Sequence, residues 1–190
     1  MPGLKLITAP AAEPVTEAEV ITRTGIGDNV ASADTTAFIK SARTWAEEFC
    51  GRAFITQTWE KRLDAFPAEI ELARGPVQSI TSVKYVDTDG VLQTLDSSEY
   101  TLDDYEQNGI VYPAYGVTWP STRDEPNAVR VQFVAGYGAV SAVPEPIKNA
   151  IILIVGQSLR SQPSLESGLY PSSVPNAAKE MLQPYRILRF

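Results

Sequence analysis

The sequence has no histidine and a single cysteine, Cys50, among its 190 residues. Without histidine the commonest general base and the commonest metal ligand are both missing, which weighs against many enzyme classes. One thiol cannot close an intramolecular disulfide, so a reducing compartment is the natural setting. Positive charge is also scarce. Lys and Arg number 16 against 23 Asp and Glu, a net charge of −7 with a pI near 4.7, and such a chain is not built chiefly to neutralise DNA phosphates. The longest unbroken apolar run, Ala150 to Val155, falls far short of the roughly 20 residues a membrane-spanning helix needs, so no transmembrane helix is expected. Met1 to Val15 carries one lysine and three prolines without a long apolar stretch. It does not read as a secretory signal and is expected to be retained and extended.

Apolar residues make up 44% and charged residues 21%, ordinary globular usage that supports a real core and leaves room for an insertion in one domain. From Asp34 to Cys50 the residues Phe38, Ile39, Ala42, Trp45, Ala46, Phe49 and Cys50 recur at three- and four-residue steps, which predicts an amphipathic helix stopped by Gly51. A shorter helical turn is expected to start at Thr16, with Glu17 and Glu19 suited to the positive end of its dipole. After Gly51 the period changes. Ala53 to Leu63, Glu69 to Leu72, Val77 to Val86, Val91 to Leu95 and Ala128 to Val134 read as strands. Turns are expected at Arg74-Gly75-Pro76, Asp87-Thr88-Asp89-Gly90 and Asn108-Gly109.

Helical spacing returns after Pro144, with Pro146 suited to a first turn. Ile147, Ala150, Ile151, Ile154, Val155 and Leu159 form a stripe that Ile152 and Leu153 widen until little polar face remains, and a helix this apolar must be covered on most sides. Ser161 to Ser173 reads as a loop, Asn176 to Gln183 as a short helix stopped by Pro184. The expected class is α+β: an α-helical bundle formed by N- and C-terminal helices, with an inserted, mainly antiparallel β domain. The expected boundaries are 1–51 for the extension and first bundle helices, 52–140 for the β insertion, and 141–190 for the remaining helices and a tail. Charge follows these boundaries. Between Asp64 and Glu125 twelve acidic residues face Arg74, Lys84 and Arg123, leaving the remainder at +2. Solubility explains an acidic insertion, and a surface that lets DNA slide past would also use one.

Several motifs carry bland readings. Asp104, Glu106, Asn108 and Gly109, preceded by Asp103, imitate the start of a calcium loop, but the position of the closing bidentate Glu holds Tyr115. Trp59, Trp119, Tyr112 and Tyr115 suit sugar stacking and equally suit a β core. Gly25-Ile26-Gly27 and Gly136-Tyr137-Gly138 lack the rest of a phosphate loop. Cys50 lies on the apolar stripe without a base to activate it, and Ser97, Ser172 and Ser173 have neither a base nor an elbow motif. No catalytic, metal or cofactor site is expected. The C-terminal tail stands out, because Tyr185, Ile187, Leu188 and Phe190 place large apolar groups around Arg186 and Arg189. Two readings stand: the tail folds back on its own bundle, or it docks in a partner's groove through aromatic and arginine anchors.

The wording of the chain adds a resemblance. Leu6-Ile7-Thr8-Ala9-Pro10, Glu13-Pro14-Val15-Thr16, Ala46-Glu47-Glu48-Phe49-Cys50-Gly51-Arg52-Ala53, Gln57-Thr58-Trp59, Pro76 to Val83, Tyr85 to Gly90, Pro126 to Val131, Phe133 to Gly138 and Pro144 to Lys148 together resemble the head-tail connector (adaptor) family of tailed phages, prophages and gene transfer agents. The likeness runs from about Leu4 to Gly156. It implies a non-enzymatic virion protein of the particle neck, assembled in the bacterial cytoplasm. In that role a ring of copies, twelve to match the portal, links the DNA-filled head to a stopper or tail-completion protein, while DNA passes through the channel without sequence-specific binding. It further implies portal binding by Gln183, Pro184, Tyr185, Arg186, Ile187, Leu188, Arg189 and Phe190. In a ring, Ile147, Ile151, Ile154, Val155 and Leu159 are expected at the subunit interface. A β-domain module that recognises carbohydrate or a host surface is the alternative function.

Overall fold

The computed structural model describes residues 3–26, 32–105, 108–166 and 174–187. These fall into two compact units: residues 1–11 with 56–137, and residues 12–55 with 138–190.

The first unit is built on strands. Its larger sheet has the order β1 (Gly3–Thr8), β2 (Gln57–Leu63), β8 (Val129–Ala135), β4 (Val77–Val86), β5 (Leu92–Leu95), with every neighbouring pair antiparallel. β8 runs through the middle, and its alternation buries Val129, Val131, Phe133 and Ala135 while the residues between them stay half-exposed, the period-2 pattern of a strand with one covered face. A second sheet orders β3 (Ile70–Glu71), β7 (Ile110–Pro113) and β6 (Tyr100–Asp103). Gly109 sits where the sheets approach: a Cβ there would lie 2.9 Å from the Val77 side chain, so only glycine lets β7 begin at this depth.

The β4–β5 hairpin turns where its residues predict. Asp87 Oδ1 accepts from the backbone N–H of Asp89 and Val91 at 3.0 and 2.9 Å, and Gly90 takes the left-handed conformation, φ 84°. Strand β4 has the boundaries its sequence implies, whereas β2 starts at Gln57 rather than Ala53. The extended N-terminus is a strand, β1, paired along β2 and clustering with the β unit. Its single row of apolar residues was too short to announce pairing, which is a tertiary property. β6 and β7 are likewise additional to the sequence expectation, four residues each and bracketing the acidic turn.

The second unit holds α1 (Glu17–Thr24), α2 (Ser32–Cys50), α3 (Glu145–Glu166) and α4 (Asn176–Leu182). α1 opens on a reciprocal capping box: Thr16 Oγ1 accepts from Glu19 N at 3.2 Å, and Glu19 Oε2 accepts from Thr16 N at 2.7 Å. The bond from the Thr16 backbone, with that from its hydroxyl, holds the Glu19 carboxyl below its ordinary range. A depressed carboxyl stabilises the fold above its unfolded pKa and loses that effect as pH falls through the folded value. Thr16→Ala is therefore expected to cost about 1 kcal/mol near neutral pH, with a smaller cost in acid, measured by urea melts across pH.

α3 runs to Glu166, so the expected loop from Ser161 begins too early: Ser161, Gln162 and Pro163 remain helical. The rest of that expectation, residues 167–173, lies outside the described residues. α3 packs against α1, α2 and α4, all within this unit. Gly156 makes the α1 approach possible, since a Cβ there would stand 2.9 Å from Thr24 Cγ2.

Candidate docking and assembly surfaces

The expected subunit-interface residues are interior ones. Ile147, Ile151 and Val155 are fully buried, and Leu159 and Ile154 nearly so. The apolar seam does need covering, as its composition demands, but α1, α2 and α4 supply the cover within the same unit. The case for a second copy over this seam therefore loses its physical basis. On α3 it is Leu153, 38% exposed, that leaves the helix surface oily. Leu153, Met181, Ile152 and Gly156 line a groove of about 450 Å³ flanked by Arg23 and Arg160. Sequence spacing gave no sign of it, because the groove arises from how α1, α3 and α4 meet.

The tail also has intramolecular partners as far as it is described. A short 3-10 turn, Gln183–Tyr185, follows α4. Arg52 Nε donates to the Tyr185 carbonyl at 2.6 Å and Ile187 N donates to the Cys50 carbonyl at 2.8 Å. The Arg186 guanidinium lies 4.8 Å from the centre of the Phe49 ring, which stacks on Trp45. Gln183 to Ile187 are thus clasped to the C-terminal end of α2, with Gln183 and Pro184 exposed. Of the expected portal-binding residues, Leu188, Arg189 and Phe190 lie outside the described residues.

The same unit holds a buried ion cluster. Arg43 bridges Glu13 and Glu47, each at 2.6 Å, and Glu47 Oε1 accepts from Phe54 N at 2.8 Å. Burial disfavours the Arg43 charge, but the hydrogen bond to Glu13 and the nearby carboxylates outweigh it and hold the guanidinium above its ordinary pKa. Cys50 is fully buried, and burial pushes its thiol up to about 12. The thiolate needed for nucleophilic work is therefore suppressed.

The aromatic residues of the β unit do not form one stacking platform. Trp119 is stacked on Phe66, centres 4.8 Å apart, Trp59 is capped by Arg74 at 5.0 Å, and Tyr115 is fully exposed. In the acidic turn, Asn108 Nδ2 donates to Glu71 Oε1 at 2.7 Å; Glu106 lies outside the described residues. Among the described residues no group of three or more acidic, cysteine or histidine side chains is placed to hold a metal ion. No described helix is long and apolar enough to cross a membrane.

Both outer strands of the larger sheet are open to solvent. β1 is exposed at five of its six residues, with Leu6 and Ile7 about two-fifths exposed. At the other end β5 is exposed at three of four, and Val91 and Leu92 are about half exposed.

No protein-family model matches the sequence, and no curated protein matches it. Solved structures do. A chain from the neck of an empty GTA particle, computed with C6 symmetry, superposes with a TM-score of 0.80 at 20% identity, covering 99% of this chain and 97% of that one. A chain from the virion of a native gene transfer agent (GTA) particle gives 0.78 at 20%, covering 98% and 96%. One from the neck of a native GTA particle, computed with C12 symmetry, gives 0.76 at 21%, covering 99% and 97%. At these identities the likeness establishes a common fold over essentially the whole chain.

Proposed function

We propose that this chain is a head-tail adaptor of a phage-like particle: a non-catalytic neck protein, assembled in the bacterial cytoplasm. Twelve copies form a ring beneath the portal, surround the DNA channel and receive the stopper or tail-completion protein. The observation that carries this reading is the full-length likeness to chains in gene transfer agent particles, two of them from necks. The phrases that resemble those of the connector family point the same way. A sequence without histidine and a cysteine held as a neutral, buried thiol agree with a structural role. The acidic balance of the β segment suits a protein that DNA passes without adhering.

The portal contact is assigned to the tail, with its labour divided. Residues 183–187 are engaged with α2, so Arg52, Phe49 and the Cys50 carbonyl orient the segment. Leu188, Arg189 and Phe190 then supply apolar and cationic anchors for a portal groove, together with the exposed Gln183 and Pro184. Deleting Leu188–Phe190 is expected to leave the circular dichroism and melting temperature unchanged, because the clasp is kept, while abolishing the annular layer that the intact chain adds to its portal in negative-stain images. Deleting from Pro184 is expected to lower the melting temperature as well, because the Arg52 and Ile187 bonds go with it. An intact chain that adds no layer to excess portal would overturn the adaptor reading; a shortened chain that still adds one would overturn the role of the tail tip.

A further inference from the structure

We infer that one face of the larger β-sheet is a contact surface for the sugar-phosphate backbone of double-stranded DNA, met without regard to sequence by Arg62, Arg130 and Lys84. This surface follows from the register of the sheet and not from the ring proposed above; in a neck it is the one a passing duplex would brush.

The register brings the three cations into one row. Arg130 on β8 is paired directly with Arg62 on β2 and with Lys84 on β4, and residues paired across neighbouring strands share a face. That face is opposite the buried Val129, Val131 and Phe133, and all three cations on it are half-exposed. The next row along the same face holds Lys5, Glu60, Gln132 and Ser82. Four of the seven basic residues of this unit therefore stand on one side of one sheet, although the unit carries thirteen acidic residues.

Carboxylates leave most of the row unneutralised. Glu60 accepts from Arg62 Nε at 2.7 Å, and Asp64, just past β2, accepts from the Asn127 backbone N–H at 2.8 Å. Among the described residues Arg130 and Lys84 have no ion pair, and Arg130 Nε, shut off from water, has no hydrogen-bond partner. Like charges set directly opposite each other on a sheet cost stability. A row of three in an acidic chain is thus a surface made to meet negative charge from outside.

Two features favour phosphate over an acidic protein partner. Protein interfaces are centred on aromatic and aliphatic anchors, yet none of the exposed large apolar residues of the described structure lies on β2, β8 or β4. Gln132, Ser82 and Thr94 instead flank the row with amide and hydroxyl donors, which phosphate oxygens accept. The spacing also fits. Adjacent strands stand about 4.8 Å apart, so the row spans about 10 Å, a length over which one DNA strand presents about three phosphates. Three such contacts hold DNA loosely: affinity falls about 40-fold between about 50 and 200 mM salt. The duplex is touched without being gripped.

Fluorescence anisotropy of a short labelled duplex, titrated with the full-length chain at several salt concentrations, tests this. The parent is expected to bind at low salt and to give a log–log salt slope of about −2.7. Arg130→Thr/Lys84→Thr is expected to weaken binding on the order of a hundredfold at about 50 mM salt and to bring the slope to about −0.9. Its melting temperature is expected to hold or rise, because the like charges are gone. Lys40→Gln/Arg160→Gln removes the same charge from exposed helical positions and is expected to bind like the parent. Equal losses from the two double variants would reduce the effect to net charge and overturn the inference, as would a parent that leaves the duplex free at low salt. A face variant melting well below the parent would mean that the cations serve the sheet itself, and displacement of the duplex by polyglutamate at equal charge would mean an acidic protein partner; either overturns it. None of these results bears on the annular layer added to the portal, which decides the neck reading separately.

Discussion

Arg43→Ala is expected to destabilise the helical unit by about 3–5 kcal/mol, the cost of removing one partner from a buried ion cluster. Arg43, Glu13 and Glu47 are held within 2.6 Å contacts, and the side chains of Arg43 and Glu47 are only 7% and 8% exposed. Without the guanidinium, two carboxylates face each other in a poorly solvated place, and Glu47 must still accept from Phe54 N. The penalty comes from the stranded charges rather than from the lost contact alone. The Arg43→Ala/Glu47→Gln double variant is therefore expected to recover part of the loss, because the amide oxygen still serves Phe54 while one negative charge is gone. Chemical melts of the four proteins of the cycle measure this directly. A single variant within about 0.5 kcal/mol of the parent would show that the cluster contributes little.

Ile151→Ala is expected to cost about 2–5 kcal/mol, as for large-to-small changes in packed interiors. Ile151 is fully buried at the meeting of α3 with its neighbours. The loss should be the same at dilutions where only single chains exist, since the seam is covered within one copy. Leu153→Ala, two residues on but 38% exposed in the groove, is expected to cost under about 1 kcal/mol. Concentration-dependent melting for Ile151→Ala, with a dilute-limit stability equal to the parent's, would return the seam to the subunit interface.

The contrast between these two positions shows what a sequence can and cannot disclose. Periodicity marks Ile147, Ile151, Ile154, Val155 and Leu159 as residues that must leave water, because 3.6-residue spacing is a property of one helix. It does not say whose atoms replace the water. The same holds for the tail. Tyr185 and Ile187 read as greasy from composition alone, whereas their clasp by Arg52 and the Cys50 carbonyl joins positions more than 130 residues apart.

Local chemistry was legible in the linear chain wherever neighbours along it decide the outcome. The helix start at Thr16, the Asp87–Gly90 turn, the bounds of β4 and the α2 stop at Gly51 all depend on residues within a few positions of one another. So did the exclusion of histidine-based catalysis, which is a matter of composition. Tertiary structure decided the rest: that Gly3–Thr8 is a strand, that Arg43 gathers Glu13 and Glu47, that α3 is wrapped by its own unit, and that the sheet ends in two open edges. Strand pairing, burial of charge and free edges are relations between distant segments. No window of sequence contains both members of such a pair, so only the folded chain could reveal them.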